Sequence, residues 1–126
     1  MARPRYARPT DAELQILAVL WRSGGSTVRQ VYNELKAIRG SGYNSVLKLI
    51  QIMHDKALVT RNDSVRPQVY RAAVTEAATK KLLIHDLVGR VFGSGGTLVL
   101  NTLRSQKLSR TELTQIRGAL DECLAA

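Results

Sequence analysis

The chain has 126 residues, 44% of them hydrophobic, which is enough to bury the core of one compact domain or of two small lobes. Lys and Arg outnumber Asp and Glu by 19 to 10, and the net charge of +9 is uneven, because residues 1–74 hold 12 basic and 5 acidic side chains. No apolar run is as long as a membrane span, which needs about 18 residues, and no secretory segment follows the start, so we expect a cytoplasmic protein. The uneven charge predicts that the first part of the chain is attracted to a polyanion.

The first predicted element is a helix preceded by a basic arm. Residues 1–8 hold three arginines, and we expect them to add phosphate contacts, although an ordinary disordered terminus fits this composition equally well. Thr10 followed three residues later by Glu13 forms a capping box, which predicts that the helix begins there. Apolar residues on both sides of the helix predict burial on more than one face, and Gly24 and Gly25 end it.

A second helix follows after a short turn. Thr27 and Gln30 repeat the capping-box spacing, and an apolar stripe over residues 28–38 predicts the buried face of this helix. Arg29 lies on the outer side of the stripe. Glycines within residues 40–42 then end the helix.

The third predicted helix covers residues 42–56, and its two faces differ in chemistry. Apolar residues recur at i, i+3, i+4 and i+7 on one face: Val46, Leu49, Ile50 and Met53. The opposite face suits a major groove, because Lys48 can donate to guanine while Asn44 and Gln51 can pair bidentately with adenine. Ser45 can serve a base edge or a phosphate. A solvated amphipathic helix without a binding role fits the same pattern when the helix is taken alone.

A β-hairpin is predicted directly after this helix. Residues 58–62 and 68–72 are short strand-like runs separated by turn residues. Together with two capped helices joined by a glycine-containing turn, the hairpin predicts a winged helix-turn-helix in which the third helix is the recognition helix. Arg61 and Arg66 at the hairpin tip are placed to reach the DNA backbone or the minor groove. A two-stranded ribbon that only completes a small core fits the pattern as well.

Residues 75–126 are rich in helix formers and predict three apolar helices. The first is long and ends at a glycine-rich break at 93–96, the second begins at Thr97, and the third begins at the capping box of Ser109 and Glu112. About 50 residues in three apolar helices are too few to bury themselves, so we expect a homodimer. The apolar residues predicted to hold the dimer together are Leu82, Leu83, Leu87, Leu100, Leu113, Ile116 and Leu120.

The sequence contains no catalytic or metal-binding motif. There is no Ser-His-Asp arrangement with supporting context, no GxGxxG or GxxxxGK phosphate loop and no HExxH pair. The glycines at 93–96 follow a predicted helix rather than a strand, which favours a flexible break over a phosphate loop. Cys123 is the lone cysteine and only His54 and His85 accompany it, so neither a disulfide nor a zinc site is expected. We therefore predict a protein that is not an enzyme and uses no cofactor or metal.

These elements predict a mainly α fold with a small β-hairpin, made of a winged-helix DNA-binding domain with its basic arm at 1–74 and a three-helix dimerisation domain at 75–126. The side chains predicted to contact double-stranded DNA are Thr27, Arg29, Tyr43, Asn44, Ser45, Lys48, Gln51, Arg61 and Arg66. Two other interpretations fit the charge and the fold. A nonspecific nucleic-acid-binding or architectural protein would lose little affinity when bases are changed, and a protein-interaction module would not bind duplex DNA at physiological salt.

In this order the elements resemble those of the BlaI/MecI family of bacterial winged-helix repressors, the penicillinase and methicillin-resistance repressors. PTDAELQILAVLW resembles the family's first helix, STVRQVYNEL the second, and GYNSVLKLIQIMHDKALVTR the recognition helix with the first wing strand. RPQVYRA is similar to the second wing strand, and TLVLNTLRSQKLSRTELTQIRGALDE to the dimerisation region. The resemblance implies a homodimer that binds a palindromic operator and represses transcription until an inducer pathway removes it.

The chain departs from this family's pattern at three places. Many members carry a Thr-Thr pair where this chain has Asn44 and Ser45, and a basic residue where it has Ile52. These two differences leave the operator sequence open. In antibiotic-responsive members a regulatory protease cuts after an Asn that is followed by Phe. Here Asn101 is followed by Thr102, which leaves this mode of induction open. The resemblance makes the bond between them the candidate cleavage point, while a helix that serves only as core fits equally well because of Thr102. The lone cysteine argues against the paired C-terminal cysteines of copper-responsive relatives.

Overall fold

The computed structural model describes residues 8–126, so the basic arm predicted for residues 1–8 lies outside the described residues apart from Arg8. The elements of the described range are α1 (Asp11–Ser23), α2 (Val28–Arg39), α3 (Tyr43–Asp55), β1 (Val59–Asn62), β2 (Val69–Ala72), α4 (Glu76–Leu87), a π-helical segment (Val88–Phe92), α5 (Gly95–Ser105) and α6 (Arg110–Ala125). The predicted mainly α fold with a small β-hairpin is confirmed. None of the described helices is both long enough and apolar enough to cross a lipid bilayer.

The chain forms two compact units, and the boundary between them falls between Ile84 and His85, inside α4. The start of α4 belongs to the first unit. Just before it, the indole Nε1 of Trp21 donates to the carbonyl oxygen of Val74 at 2.9 Å, and Thr79 within it is buried. Composition predicts a division after residue 74, before α4 begins, whereas the two compact units divide inside α4. The DNA-binding and dimerisation roles assigned to the two predicted domains stay predictions.

Both capping boxes predicted for the first two helices are present. Thr10 Oγ1 accepts from the Glu13 amide at 3.2 Å, and Glu13 Oε1 accepts from the Thr10 amide at 2.8 Å. Thr27 and Gln30 form the same reciprocal pair at 3.2 and 2.9 Å. These bonds satisfy amides that have no partner inside the helix, so they fix where α1 and α2 begin. Gly24 ends α1 with a φ of 76°, a left-handed conformation that glycine adopts without strain.

One hydrophobic core lies among α1, α2, α3 and the hairpin. Helix α1 is buried on more than one side, as predicted, because the adjacent residues Ile16 and Leu17 are both fully buried. The other buried apolar side chains of this core are Val19, Leu20, Val28, Val31, Leu35, Val46, Ile50, Met53, Leu58, Val59 and Tyr70. Helix α3 is therefore fixed to the first unit through one face, while its other face lies at the surface.

The hairpin is anchored to the turn between α1 and α2. Its strands are antiparallel, with Val59 opposite Ala72 at the base. Ser26 extends the sheet, because its amide donates to the Tyr70 carbonyl at 2.9 Å and its carbonyl accepts from the Tyr70 amide at 2.8 Å. Ala57, between α3 and β1, has a φ of 62°, a left-handed conformation that is unfavourable for a residue with a Cβ.

The second unit begins within α4 and contains a glycine-rich connection. Gly93, with a φ of 76°, ends the π-helical segment, as the predicted break requires. Helix α5 begins at Gly95 rather than at Thr97. The helix begins two residues earlier than predicted because Ser94 Oγ accepts from the Thr97 amide at 3.1 Å and so caps the helix.

The last helix carries an uncovered apolar stripe. The predicted capping box of α6 is present, with both bonds between Ser109 and Glu112 at 3.0 Å. Along the helix, Leu113, Leu120 and Leu124 are 45%, 56% and 76% exposed. Within residues 85–126, all of which the structure describes, no side chain is buried in the single chain.

Candidate nucleic-acid interface

The outward face of α3 carries the polar groups predicted to contact bases. Its exposed polar side chains include Asn44, Ser45, Lys48 and Gln51. The opposite face is packed into the core through Val46, Ile50 and Met53, whereas Leu49 of the predicted apolar stripe is half-buried. Among residues 8–126 Lys48 forms no ion pair, so its ammonium group presents its charge at the surface. The first turn of α3 follows Gly42 and has no side-chain cap, in contrast to α1 and α2.

The C-terminal end of α3 is tied to α1 by an ion pair that sequence reasoning missed. Lys56, the residue that caps α3, places Nζ 2.9 Å from Oε2 of Glu13, whose side chain is 1% exposed. Burial raises the pKa of Glu13, but hydrogen bonds from Thr10 and Lys56 and the charge of Lys56 outweigh it, so this pKa lies below its usual value. The ionised carboxylate therefore holds the start of α1 and the end of α3 together.

The N-terminal end of α3 is held by a cationic and aromatic cluster. The Arg29 guanidinium lies 4.3 Å from the ring centroid of Tyr43 and 5.7 Å from that of Tyr32. The two tyrosine rings meet edge to face at 6.0 Å. Contacts of this kind contribute about 0.5–1 kcal/mol at exposed sites. Arg29 thus lies beside the first turn of α3, while Thr27 is half-buried and its hydroxyl is used in the cap of α2.

The two wing arginines are not equivalent. Arg61 lies in β1 and directs Nε to Oδ1 of Asp63 at 2.6 Å, with Nη2 3.4 Å from Oδ2. The carboxylate of Asp63, together with Tyr70 on the opposite strand, raises the pKa of the Arg61 guanidinium. Arg66 instead donates to the main-chain carbonyl oxygens of Asp63 and Val65 at 2.9 and 3.4 Å. Within the described chain the charge of Arg66 is therefore not neutralised by a carboxylate.

Several other basic side chains of the first unit are engaged within the protein. Arg22 pairs with Glu34 at 3.6 Å. Arg71 donates through Nε to the Gly24 carbonyl oxygen at 3.1 Å, at the C-terminal end of α1, where a cation complements the helix dipole. These groups support the fold, in contrast to Lys48 on the open face of α3.

The apolar residues predicted to form the dimer are distributed over both units. Leu82 and Leu83 lie in the first unit and are half-buried. Leu83 lines a surface hollow together with Pro9 and Leu14. The remaining predicted residues lie in the second unit, where Leu87, Leu100, Leu113 and Leu120 are 42–56% exposed and Ile116 is half-buried.

The candidate cleavage point lies inside α5. Asn101 is exposed and its Nδ2 donates to the Thr97 carbonyl oxygen at 2.9 Å, while Thr102 Oγ1 donates to the Leu98 carbonyl oxygen at 2.8 Å. The bond between the two residues is therefore part of a hydrogen-bonded helix. A protease could cut it only after α5 had opened locally.

Residues 9–122 match the sequence model of a family described as Penicillinase repressor. The chain is 23% identical over 114 residues to the Penicillinase repressor of Bacillus licheniformis, an alignment that covers 90% of this chain and 89% of that protein. It is 21% identical over 114 residues to the Methicillin resistance regulatory protein MecI of Mammaliicoccus sciuri, covering 90% and 93% of the two chains. The protein of the same name from Staphylococcus aureus strain N315 is 20% identical with the same 90% and 93% coverage.

Proposed function

Because this chain belongs to the penicillinase repressor family, and so is a transcriptional repressor rather than an enzyme, we propose that it binds a palindromic operator in double-stranded DNA as a homodimer. The family resemblance predicted from the ordered motifs is confirmed by the match over residues 9–122. The observation that carries the proposal is the exposed polar face of α3, which is held at one end by α1 and at the other by α2.

Helix α3 supplies the groups that read sequence in this proposal. A helix fits into the major groove of B-DNA, which is about 12 Å wide, and the N-terminal residues of a recognition helix contact base edges there. Asn44 and Ser45 occupy the first turn of α3, and Lys48 and Gln51 follow one and two turns later on the exposed face. Lys48 would donate to guanine, and the two amide side chains would pair with adenine.

Residues outside α3 would position the protein on the DNA backbone. Arg29 lies beside the first turn of α3, and Arg66 lies in the wing loop with no carboxylate partner among the described residues. Contacts from such cations to phosphates hold the register of the complex and carry no sequence information. They also make the affinity fall as the salt concentration rises.

A second copy of the chain is the proposed cover for the apolar surface of residues 85–126. No side chain in this range is buried, and Val91, Leu120 and Leu124 are 67%, 56% and 76% exposed. Helices of 11 and 16 residues, as α5 and α6 are, have marginal stability without packing. A two-fold dimer covers the same surface on both chains at once. The dimer would also hold its two recognition helices apart by one helical turn of DNA, roughly 34 Å, or by a multiple of that distance. Such a pair of helices requires an operator with two inverted half-sites.

Cleavage in α5 is the proposed route by which repression is relieved. A cut between Asn101 and Thr102 would separate α6 from the rest of the chain and remove its stripe from the dimer. Each half-site would then be bound by an independent monomer, and operator affinity would fall by mass action. A protease site inserted after Asn101 tests this step. The cut protein should sediment as a monomer, and a cut dimer with unchanged operator affinity would exclude the route.

Selection of binding sites from random duplex DNA tests the proposed function. We expect the enriched sequences to contain two inverted half-sites, and the full chain to sediment as a dimer at micromolar concentration. Equal affinity for all duplexes would instead indicate a nonspecific or architectural protein. No binding of duplex DNA at physiological salt would indicate a protein-interaction module.

A further inference from the structure

Asp63 organises the loop of the wing through three side-chain hydrogen bonds and one main-chain bond. Its Oδ1 accepts from Arg61 Nε at 2.6 Å and from Gln68 Nε2 at 2.7 Å, and its Oδ2 accepts from Arg61 Nη2 at 3.4 Å. Its carbonyl oxygen accepts from Arg66 Nη1 at 2.9 Å. A single acidic residue therefore contacts both basic residues that the sequence assigns to DNA binding in the wing.

The carboxylate of Asp63 occupies one of the two edges of the Arg61 guanidinium at which a phosphate can bind with two hydrogen bonds, the edge formed by Nε and Nη2. A guanidinium presents paired N–H groups whose geometry matches carboxylate and phosphate alike. Nε and Nη2 of Arg61 form one such pair, and both are directed at Asp63. The two residues are separated by one position in the same hairpin, so the carboxylate competes with any incoming phosphate as an intramolecular partner of high effective concentration.

The ion pair lies at the surface where it can be reached. The side chains of Arg61 and Asp63 are 32% and 58% exposed. An exposed ion pair is weak, but a phosphate contact at the same depth is subject to the same solvent and salt screening. The Asp63 carboxylate and a DNA phosphate therefore compete for Arg61 with similar strength, and the presence of Asp63 can keep Arg61 away from the phosphate.

We propose that Asp63 withholds Arg61 from the DNA backbone, so that Arg66 is the phosphate-binding cation of the wing and the sequence-independent affinity of the repressor is lowered. This inference rests on the proposed function. A net charge of +9 favours phosphate contacts with a duplex of any sequence. Because a genome offers a large excess of competing nonspecific sites, an internal acidic partner that limits these contacts leaves more repressor available for the operator.

Asp63→Asn in the full chain tests the proposal, with a duplex of unrelated sequence as the probe. Freeing one guanidinium for one phosphate should raise the affinity roughly two- to fivefold. It should also steepen the dependence of log affinity on log salt by about 0.9. Arg61→Gln in the wild-type background should leave the salt dependence nearly unchanged, because Arg61 makes no phosphate contact there. A salt dependence that became shallower by about 0.9 in Arg61→Gln alone would overturn the proposal, because it would mean that Arg61 already contacts a phosphate.

The double variant Arg61→Gln/Asp63→Asn separates two ways in which Asp63 could act. If Asp63 acts through Arg61, the gain seen in Asp63→Asn disappears in the double variant. If the gain persists, Asp63 acts by repelling phosphates itself and the proposal is wrong. The matched control is Glu76→Gln, which removes the same charge from an exposed pair with Lys80 at 3.1 Å in α4, outside the wing, and should leave the salt dependence unchanged.

Failure of this inference is distinguishable from failure of the proposed function. If the wild-type chain bound no duplex DNA, the proposed function itself would be wrong. If the wild type bound DNA but Asp63→Asn gained neither affinity nor a steeper salt dependence, only the role of Asp63 would be rejected.

Discussion

Replacing Glu13 with glutamine should loosen the attachment of α3 to α1 while leaving the shape of the side chain nearly unchanged. Glutamine keeps an oxygen for the Thr10 amide but loses the negative charge that lies 2.9 Å from Lys56 Nζ. Breaking a fully buried pair costs about 3–5 kcal/mol. The side chain of Lys56 is 38% exposed and regains water when the pair is broken, so we expect a loss of about 1–2 kcal/mol in the free energy of unfolding.

Equilibrium denaturation followed by tryptophan fluorescence measures this loss. Trp21 is the one tryptophan of the chain and packs in the first unit, so its signal reports on the unit that contains the pair. Protein concentration must be held fixed, because association of chains adds to apparent stability. The matched control is Glu34→Gln, which breaks the exposed pair with Arg22 at 3.6 Å and should cost less than about 0.5 kcal/mol.

The dependence on pH identifies the ion pair as the cause. The folded-state pKa of Glu13 is lowered from its ordinary value of 4.5, so the carboxylate contributes stability that is fully present above that value and is lost as the pH falls through the folded pKa. The gap in stability between the wild type and Glu13→Gln should therefore be full at about pH 7 and shrink as the pH falls below 4.5 and through the lower folded-state pKa. A gap that did not change with pH, or a Glu34→Gln variant that was equally destabilised, would refute this assignment.

The remaining predictions concern base reading, the dimer and one strained residue. Lys48→Ala should weaken operator binding by roughly 1–3 kcal/mol with little change in thermal midpoint, whereas Arg66→Ala should weaken binding to operator and random duplex alike and reduce the salt slope by about 1. Titrations against both duplexes distinguish these outcomes, and an unchanged base preference in Lys48→Ala would remove it from the reading face. Leu120→Glu places a charge on a residue that is 56% exposed in the single chain, and it should convert the dimer to monomers in sedimentation velocity; an intact dimer would remove α6 from the interface. Ala57→Gly should raise the free energy of unfolding by about 0.5–1 kcal/mol, because glycine tolerates the φ of 62° at this turn, and a lower denaturation midpoint would contradict that reason.

The parts of the fold that the sequence predicts well depend on residues close together in the chain. The capping boxes join residues three positions apart, so Thr10 and Glu13 mark the start of α1 before any tertiary contact is known. The polar face of α3 was predictable in the same way, from its helical period. The partner of the second Glu13 oxygen cannot be predicted in this way, because Lys56 lies 43 positions away along the chain and contacts Glu13 only when α1 and α3 pack together.

Other differences arise where two local signals compete. The glycines at 95 and 96 have low helix propensity and predicted that α5 would begin only at Thr97, but the Ser94 cap extends the helix over them. Asp63 fits a turn because aspartate favours turns, and in the sequence its pairing with Arg61 shows only as a spacing of two positions. An apolar pattern also does not say which surface covers it. Leu82 and Leu83 are half-buried in the first unit, although their apolar pattern predicts a dimer contact.

If a second chain covers the apolar surface of residues 85–126, as we propose, repression depends on how many chains a cell contains. With a second chain as the cover, the concentration of dimer well below its dissociation constant follows the square of the concentration of chains, so halving the chains lowers the dimer about fourfold. A promoter under such control responds more steeply than in proportion to the supply of repressor. Dilution of the chains during rapid growth would then be enough to open a promoter that is silent in slowly growing cells.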